Sequence, residues 1–223
     1  MIQKQKIAEA EQLLPSATAP VRDHITKELL DHYTEKKQFD HAEALLAQVA
    51  NDDEYPFDGA AQLFNTLAKQ QSPERMAIFN HALNNFEQFS RNERIGQNDF
   101  GNFIEATATY APPEAVLEAI DKVLDAAKSQ DSHVHYSMAS SKGTLQLNSA
   151  YEFRLFQLLP VLEELDKDKA ESLLRDDLAL QERLKKYPEG MDSFTAVRLR
   201  VEENQLVDVF GEIGVLVDGR KGA

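Results

Sequence analysis

The chain predicts an all-α fold, antiparallel helical hairpins stacked as a degenerate α-solenoid, with one β-hairpin or long-loop insertion near 131–148. Three observations carry this prediction. Apolar residues recur at i, i+3, i+4 and i+7 along most of the chain, the spacing that lines one face of a helix. Prolines and capping residues cut that pattern into about ten helices, and the short connections between them make neighbours antiparallel. Similar hairpins also recur without a strict period, as in arrays of diverged repeats.

The elements follow in order. Met1 to Lys6 is polar and runs directly into helix, and Pro15 and Pro20 flank the first connection. Ala42, Leu45, Leu46 and Val49 form one apolar stripe, and Ala60, Leu63, Phe64 and Leu67 repeat its spacing after Pro56, which opens their helix. Ser72-Pro73-Glu74 reads as an N-cap followed by proline in the first turn. Phe100, Phe103, Ile104 and Thr107 make the next stripe, and Pro112-Pro113 separates it from the helix beyond. After the insertion at 129–148, a further pair begins near Ser149, turns at Asp166 to Asp168 and ends at Pro188 to Ser193. A last helix is expected from about Phe194, on the stripe Leu206, Val209, Phe210 and Ile213, with residues 218–223 as a flexible tail. Gly211 and Gly214 weaken it by about 1 kcal/mol each.

The repeat signal lies in particular residues. Leu29-Leu30-Asp31-His32-Tyr33, a turn, then Ala42-Glu43-Ala44-Leu45-Leu46 is echoed by Leu158-Leu159-Pro160-Val161-Leu162, a turn, then Ala170-Glu171-Ser172-Leu173-Leu174. Each places an alanine early in its second helix, where close approach needs a small side chain. Within 23–56, Leu29, Tyr33, Phe39, Ala42, Leu46, Val49 and Pro56 resemble a tetratricopeptide-type helical hairpin, although Leu30 and Lys37 stand where that family usually has glycine. The segment Tyr151 to Pro160 resembles, more loosely, an uncharacterised group of bacterial helical-repeat proteins, many of which look secreted. These resemblances imply a TPR/HEAT-like array forming a single domain over 1–223, and they imply no activity. A globular helical bundle with chance hairpin similarity is the alternative.

Composition narrows the function classes. A formal net charge of −14 repels phosphate backbones and anionic lipid surfaces, so neither nucleic acid nor membrane insertion is expected. Cysteine is absent, which excludes thiolate chemistry and disulfides from this sequence. The start at Met1 fits a cytoplasmic protein, or a periplasmic or secreted one whose leader has been removed. Metalloprotease, di-iron, P-loop and nucleophile-elbow motifs are missing, and no cofactor is implied. Acidic pairs such as Asp52-Asp53, Glu163-Glu164 and Asp176-Asp177 read as solvated helix ends.

The insertion is the segment least like helix. His133 to Met138 and Thr144 to Asn148 alternate in polarity around Ser140-Ser141-Lys142-Gly143, which predicts a β-hairpin. Val134, Tyr136 and Met138 then share a face, which Leu145 and Leu147 join if the register allows. His133 and His135 fall together on a strand, a spacing that can chelate a metal, but a solvated edge is the simpler account. Asp23-His24, Asp31-His32 and Asp40-His41 likewise read as surface pairs, since His24 and His32 lie roughly 80° apart around a helix.

These readings favour a protein-interaction scaffold that holds a protein or peptide on its concave helical face, on the insertion, or on both. Its candidate contact residues are His133, His135, Tyr136, Met138, Tyr110 and Tyr151. Phe86, Phe89 and Phe153 are further aromatic anchors. The alternative is a helical small-molecule-binding or hydrolytic domain with a pocket beside the insertion. A structural oligomer subunit is the third possibility.

Overall fold

A computed structural model describes residues 4–49, 55–90, 99–130, 136–140, 143–175, 177–188, 190–194, 199–202 and 205–208. These are predominantly helical and divide into two compact units, Met1–Lys122 and Val123–Ala223. No helix among the described residues is long and apolar enough to cross a membrane.

In the first unit, α1 (Lys4–Leu13) ends in a 3-10 turn through Pro15, and Pro20 sits in the first turn of α2 (Ala19–Glu35). Proline is tolerated there because the first amides of a helix have no partner within it. Then come α3 (Phe39–Val49), α4 (Phe57–Lys69), α5 (Arg75–Asn85) and α6 (Phe100–Thr107). Helix α5 starts later than the Ser72 cap predicts, with Glu74 as its flanking residue. Helix α4 packs on both α2 and α6, α3 backs α2 and α4, and α5 backs α4. Contacts among the described residues thus run in a row from α2 through α4 to α6. Gly59 lets that row close, since a Cβ there would stand 2.9 Å from Leu30 Cδ1.

The predicted stripes at 60–67 and 100–107 are buried. Ala60, Leu63, Phe64 and Leu67 of α4 are each at most 2% exposed, and burial of side chains of the larger kinds stabilises by about 1.5–3 kcal/mol apiece. Phe57, Phe79, Phe86, Phe100 and Phe103 join them in a ring cluster with centroid separations from 4.7 to 6.4 Å. Asp99 caps α6 by accepting from the Asn102 amide at 3.0 Å. Leu29, Tyr33, Ala42 and Leu46 are buried as well.

Tyr33 also ties α2 to α1, donating to Glu11 Oε1 at 2.5 Å. Burial, then the hydrogen bond to Glu11 and its charge, pushes the phenol from 10.0 up to about 12. The folded chain therefore holds a proton that the unfolded chain releases between these two values. Stability from this group is full below about pH 10 and is lost as pH rises through about 12. Base titration of Tyr33→Phe against the parent checks this, with the steeper alkaline loss expected in the parent.

Helix α7 (Pro113–Lys128) opens at the predicted Pro112-Pro113 break, with Glu114 in its first turn and Lys128 in its last. Both charges complement the helix dipole. The division between the two units falls inside this helix.

In the second unit, β1 (Tyr136–Ser140) pairs antiparallel with β2 (Gly143–Leu147), as the alternation of the insertion predicts. Helix α8 (Ala150–Leu165) follows, capped by Ser149, whose hydroxyl accepts from the Glu152 amide at 3.1 Å. The single second helix expected after Asp168 is instead two. Helix α9 (Lys167–Leu174) and α10 (Leu178–Leu184) are separated at 175–177, where the Asp177 carboxylate caps the Leu180 amide at 2.8 Å. A short side-chain acceptor that close to an amide starts a new helix rather than continuing the old one.

The expected last helix is corrected. Strands β3 (Leu199–Glu202) and β4 (Gln205–Asp208) form a second antiparallel pair, and Leu206 lies in β4. Leu-Arg-Val-Glu alternates at period two, the pattern of a strand, whereas Gln-Leu-Val-Asp sets two apolar residues side by side. Val209, Phe210, Ile213 and the tail 218–223 lie outside the described residues.

Candidate functional site

The second unit holds a cleft of about 290 Å3 enclosed by α8, α9, α10 and the 3-10 turn Gly190–Ser193. Phe156, Leu159, Pro160, Leu174, Leu184 and Tyr187 supply its apolar surface. The polar lining comes from Glu163, Glu171, Gln181 and Lys185. All but Gln181 of these four are exposed, so the charge lies at the mouth and the apolar surface lies within.

The cleft is shaped by a proline inside a helix. Pro160 has no amide hydrogen, so the Phe156 carbonyl four residues earlier loses its helical partner. Gly190, with φ +57°, fits against this point: a Cβ there would stand 2.7 Å from Pro160 Cγ and 3.4 Å from the Phe156 oxygen. Only glycine adopts that backbone region cheaply and leaves room for the proline ring. Tyr187, set edge-on to Phe156 (6.5 Å) and tilted against Phe194 (4.8 Å), forms one wall.

The hairpin is joined to the same wall. The Tyr187 hydroxyl lies 3.7 Å from where a Cβ on Gly143 would be, and Arg183 Nη1 donates to the Gln146 carbonyl at 2.6 Å. Arg183 Nη2 also stands 3.1 Å from Glu152 Oε2, which accepts from the Asn148 amide at 2.8 Å. One guanidinium therefore joins β2, α8 and α10. Arg183→Ala should destabilise the unit by about 1–2 kcal/mol, as expected for charge-assisted bonds at a partly exposed site. Hydrogen exchange of the β1 and β2 amides should then quicken by about 5–30-fold.

The predicted contact residues fall in different places. Tyr136 and Met138 are buried at 5% and 3%, on one hairpin face with Leu145 and Leu147, because Tyr136 pairs with Leu147 and Met138 with Leu145. The Tyr136 ring lies 4.8 Å from Phe153 of α8, so this face covers the helix and offers no surface anchor. Phe86 and Phe153 are also core. Tyr151 is half-buried beneath Lys128, whose ammonium lies 5.4 Å from the ring centre, and burial pushes its phenol up. Tyr110, 42% exposed just past α6, and Phe89, 41% exposed, belong to the first unit. His133 and His135 lie outside the described residues.

Polar pairs in the first unit are local. Tyr55 and His81 lie 3.3 Å apart, and burial raises the phenol and lowers the imidazole. Lys27 pairs with Asp58 at 2.6 Å, beside Asp31, whose carboxyl burial raises. No three metal-ligating side chains converge among the described residues.

Reading along the sequence missed the cleft. Its signals were a proline inside the strong helical run Leu158 to Leu162 and a glycine two residues after Pro188, each visible alone. Comparison of the chain with models of known protein families, with curated proteins and with solved structures returned no match.

Proposed function

We propose that this chain is a protein-interaction module that docks apolar side chains of a partner in the cleft between α8, α9 and α10. The observation that carries this reading is the cleft itself, apolar inside and charged at its mouth, at about 290 Å3. That volume is at the bottom of the roughly 300–1,000 Å3 typical of small-molecule sites, while one or two side chains fill it. Its size thus favours docking over the alternative of a hydrolytic or small-molecule site beside the insertion. Apolar anchors in a pocket ringed by polar groups are the usual source of binding energy between proteins. The stacked hairpins of the first unit and their tetratricopeptide-like positions support the same class, since such arrays present extended surfaces.

A photo-crosslinking residue in place of Gln181, half-buried in the cleft, tests this against one in place of the exposed Gln62 on α4. In lysate of the native organism, discrete adducts are expected from position 181 and not from 62. An identical pattern at both positions, or no adduct at 181, overturns the proposal.

A further inference from the structure

We propose that the occupant of this cleft is a basic amphipathic peptide segment, whose apolar side chain enters between α8, α9 and α10 while a lysine or arginine beside it meets Glu163. The inference rests on the docking function proposed above and adds the chemistry of the partner. It is drawn from the charges of the lining. Glu163 is exposed at the mouth and has no ion-pair partner among the described residues. Glu171, across the cleft on α9, is only 3.8 Å from Lys167, in a pair where both side chains are more than 60% exposed. Such exposed pairs hold little energy and open readily. Lys185, the lining cation among the described residues, is likewise in an exposed pair, with Glu182, so the lining carries two carboxylates against one ammonium.

An incoming cation therefore finds one unpaired carboxylate and a second that is loosely held. An incoming carboxylate meets one ammonium, also loosely held, against two carboxylates of its own sign. The apolar floor and the acidic mouth together select a segment carrying both characters, which a helix with apolar residues on one face and basic residues at its border provides. The formal charge of −14 adds long-range attraction for a basic partner and repulsion for an acidic one, and this raises the encounter rate.

The test uses the full chain and two short capped amphipathic probes, one of leucine and lysine, the other of leucine and glutamate, with binding read by calorimetry at low salt. The leucine–lysine peptide is expected to bind and the leucine–glutamate peptide not to. Glu163→Lys should weaken binding about tenfold or more, while Glu9→Lys, the same charge change on exposed α1, should weaken it far less. Gln181→Trp, which fills the cleft, should abolish it. If both peptides bind and Gln181→Trp abolishes both, the cleft docks partners but the basic preference is overturned. Equal losses in Glu163→Lys and Glu9→Lys also overturn it, since only net charge is then being sensed. Binding that survives Gln181→Trp, or no binding by either peptide, overturns the inference and removes the docking function along with it.

Discussion

Phe103→Ala is expected to lower the unfolding free energy by about 3–5 kcal/mol, the largest effect of any single truncation considered. Phe103 is 1% exposed and surrounded by the rings of Phe79, Phe100 and Phe57 at 5.5, 5.6 and 6.4 Å. Two terms add. The side chain loses its transfer free energy, and the space it leaves is walled by flat, stiff rings that collapse poorly. Against a total stability of about 5–15 kcal/mol, this is a fifth or more of the reserve. Urea titration should show a lower midpoint at an unchanged slope. Phe89→Ala is the contrast, since that ring is already 41% exposed and should cost no more than about 0.5 kcal/mol. A loss below about 1 kcal/mol in Phe103→Ala would mean that the cluster repacks freely, contrary to its close ring contacts.

Gly190→Ala is expected to cost about 2–4 kcal/mol and to close part of the cleft. At φ +57° an alanine pays about 1–2 kcal/mol for its backbone alone. Its Cβ would also meet Pro160 Cγ at 2.7 Å and Cδ at 3.2 Å, distances that force a shift in the proline ring or the turn. The contact predicts a coupling. Pro160→Ala restores an amide that can bond the Phe156 carbonyl and removes the ring, so the double variant should recover the clash component but not the backbone component. A double-mutant cycle by chemical denaturation reads the difference. Strict additivity of the two changes would show that Pro160 and Gly190 do not press on each other. The same substitution should weaken the leucine–lysine peptide, because both residues line the cleft.

How much of this was legible along the chain follows from the range of the forces involved. The stripes at 60–67 and 100–107 were legible because a helix buries what it repeats every three to four residues. The caps at Ser149 and Asp166 bond amides only three residues ahead. The hairpin of the insertion was legible from alternation, and its register, Tyr136 to Leu147, brings four apolar side chains to one face. The strand pair at 199–208 was not legible in the same way, because Leu206 and Val207 stand side by side and Leu206, Val209 and Phe210 fit the spacing of a helix.

The candidate site was another matter. Tyr136 and Met138 read equally well as anchors or as packing until the position of α8 decided for packing, with Phe153 4.8 Å from the Tyr136 ring. The cleft required Pro160 to meet Gly190, thirty positions on, and Arg183 to reach the Gln146 carbonyl, thirty-seven positions back. By itself the sequence determined where α4, α7 and α8 begin, which faces α4 and α6 bury and that the whole is strongly acidic, because those properties depend on neighbours a few residues away. Only the tertiary structure decided which apolar residues are hidden and which line an opening, because that depends on contacts between distant segments whose pairing no local pattern records.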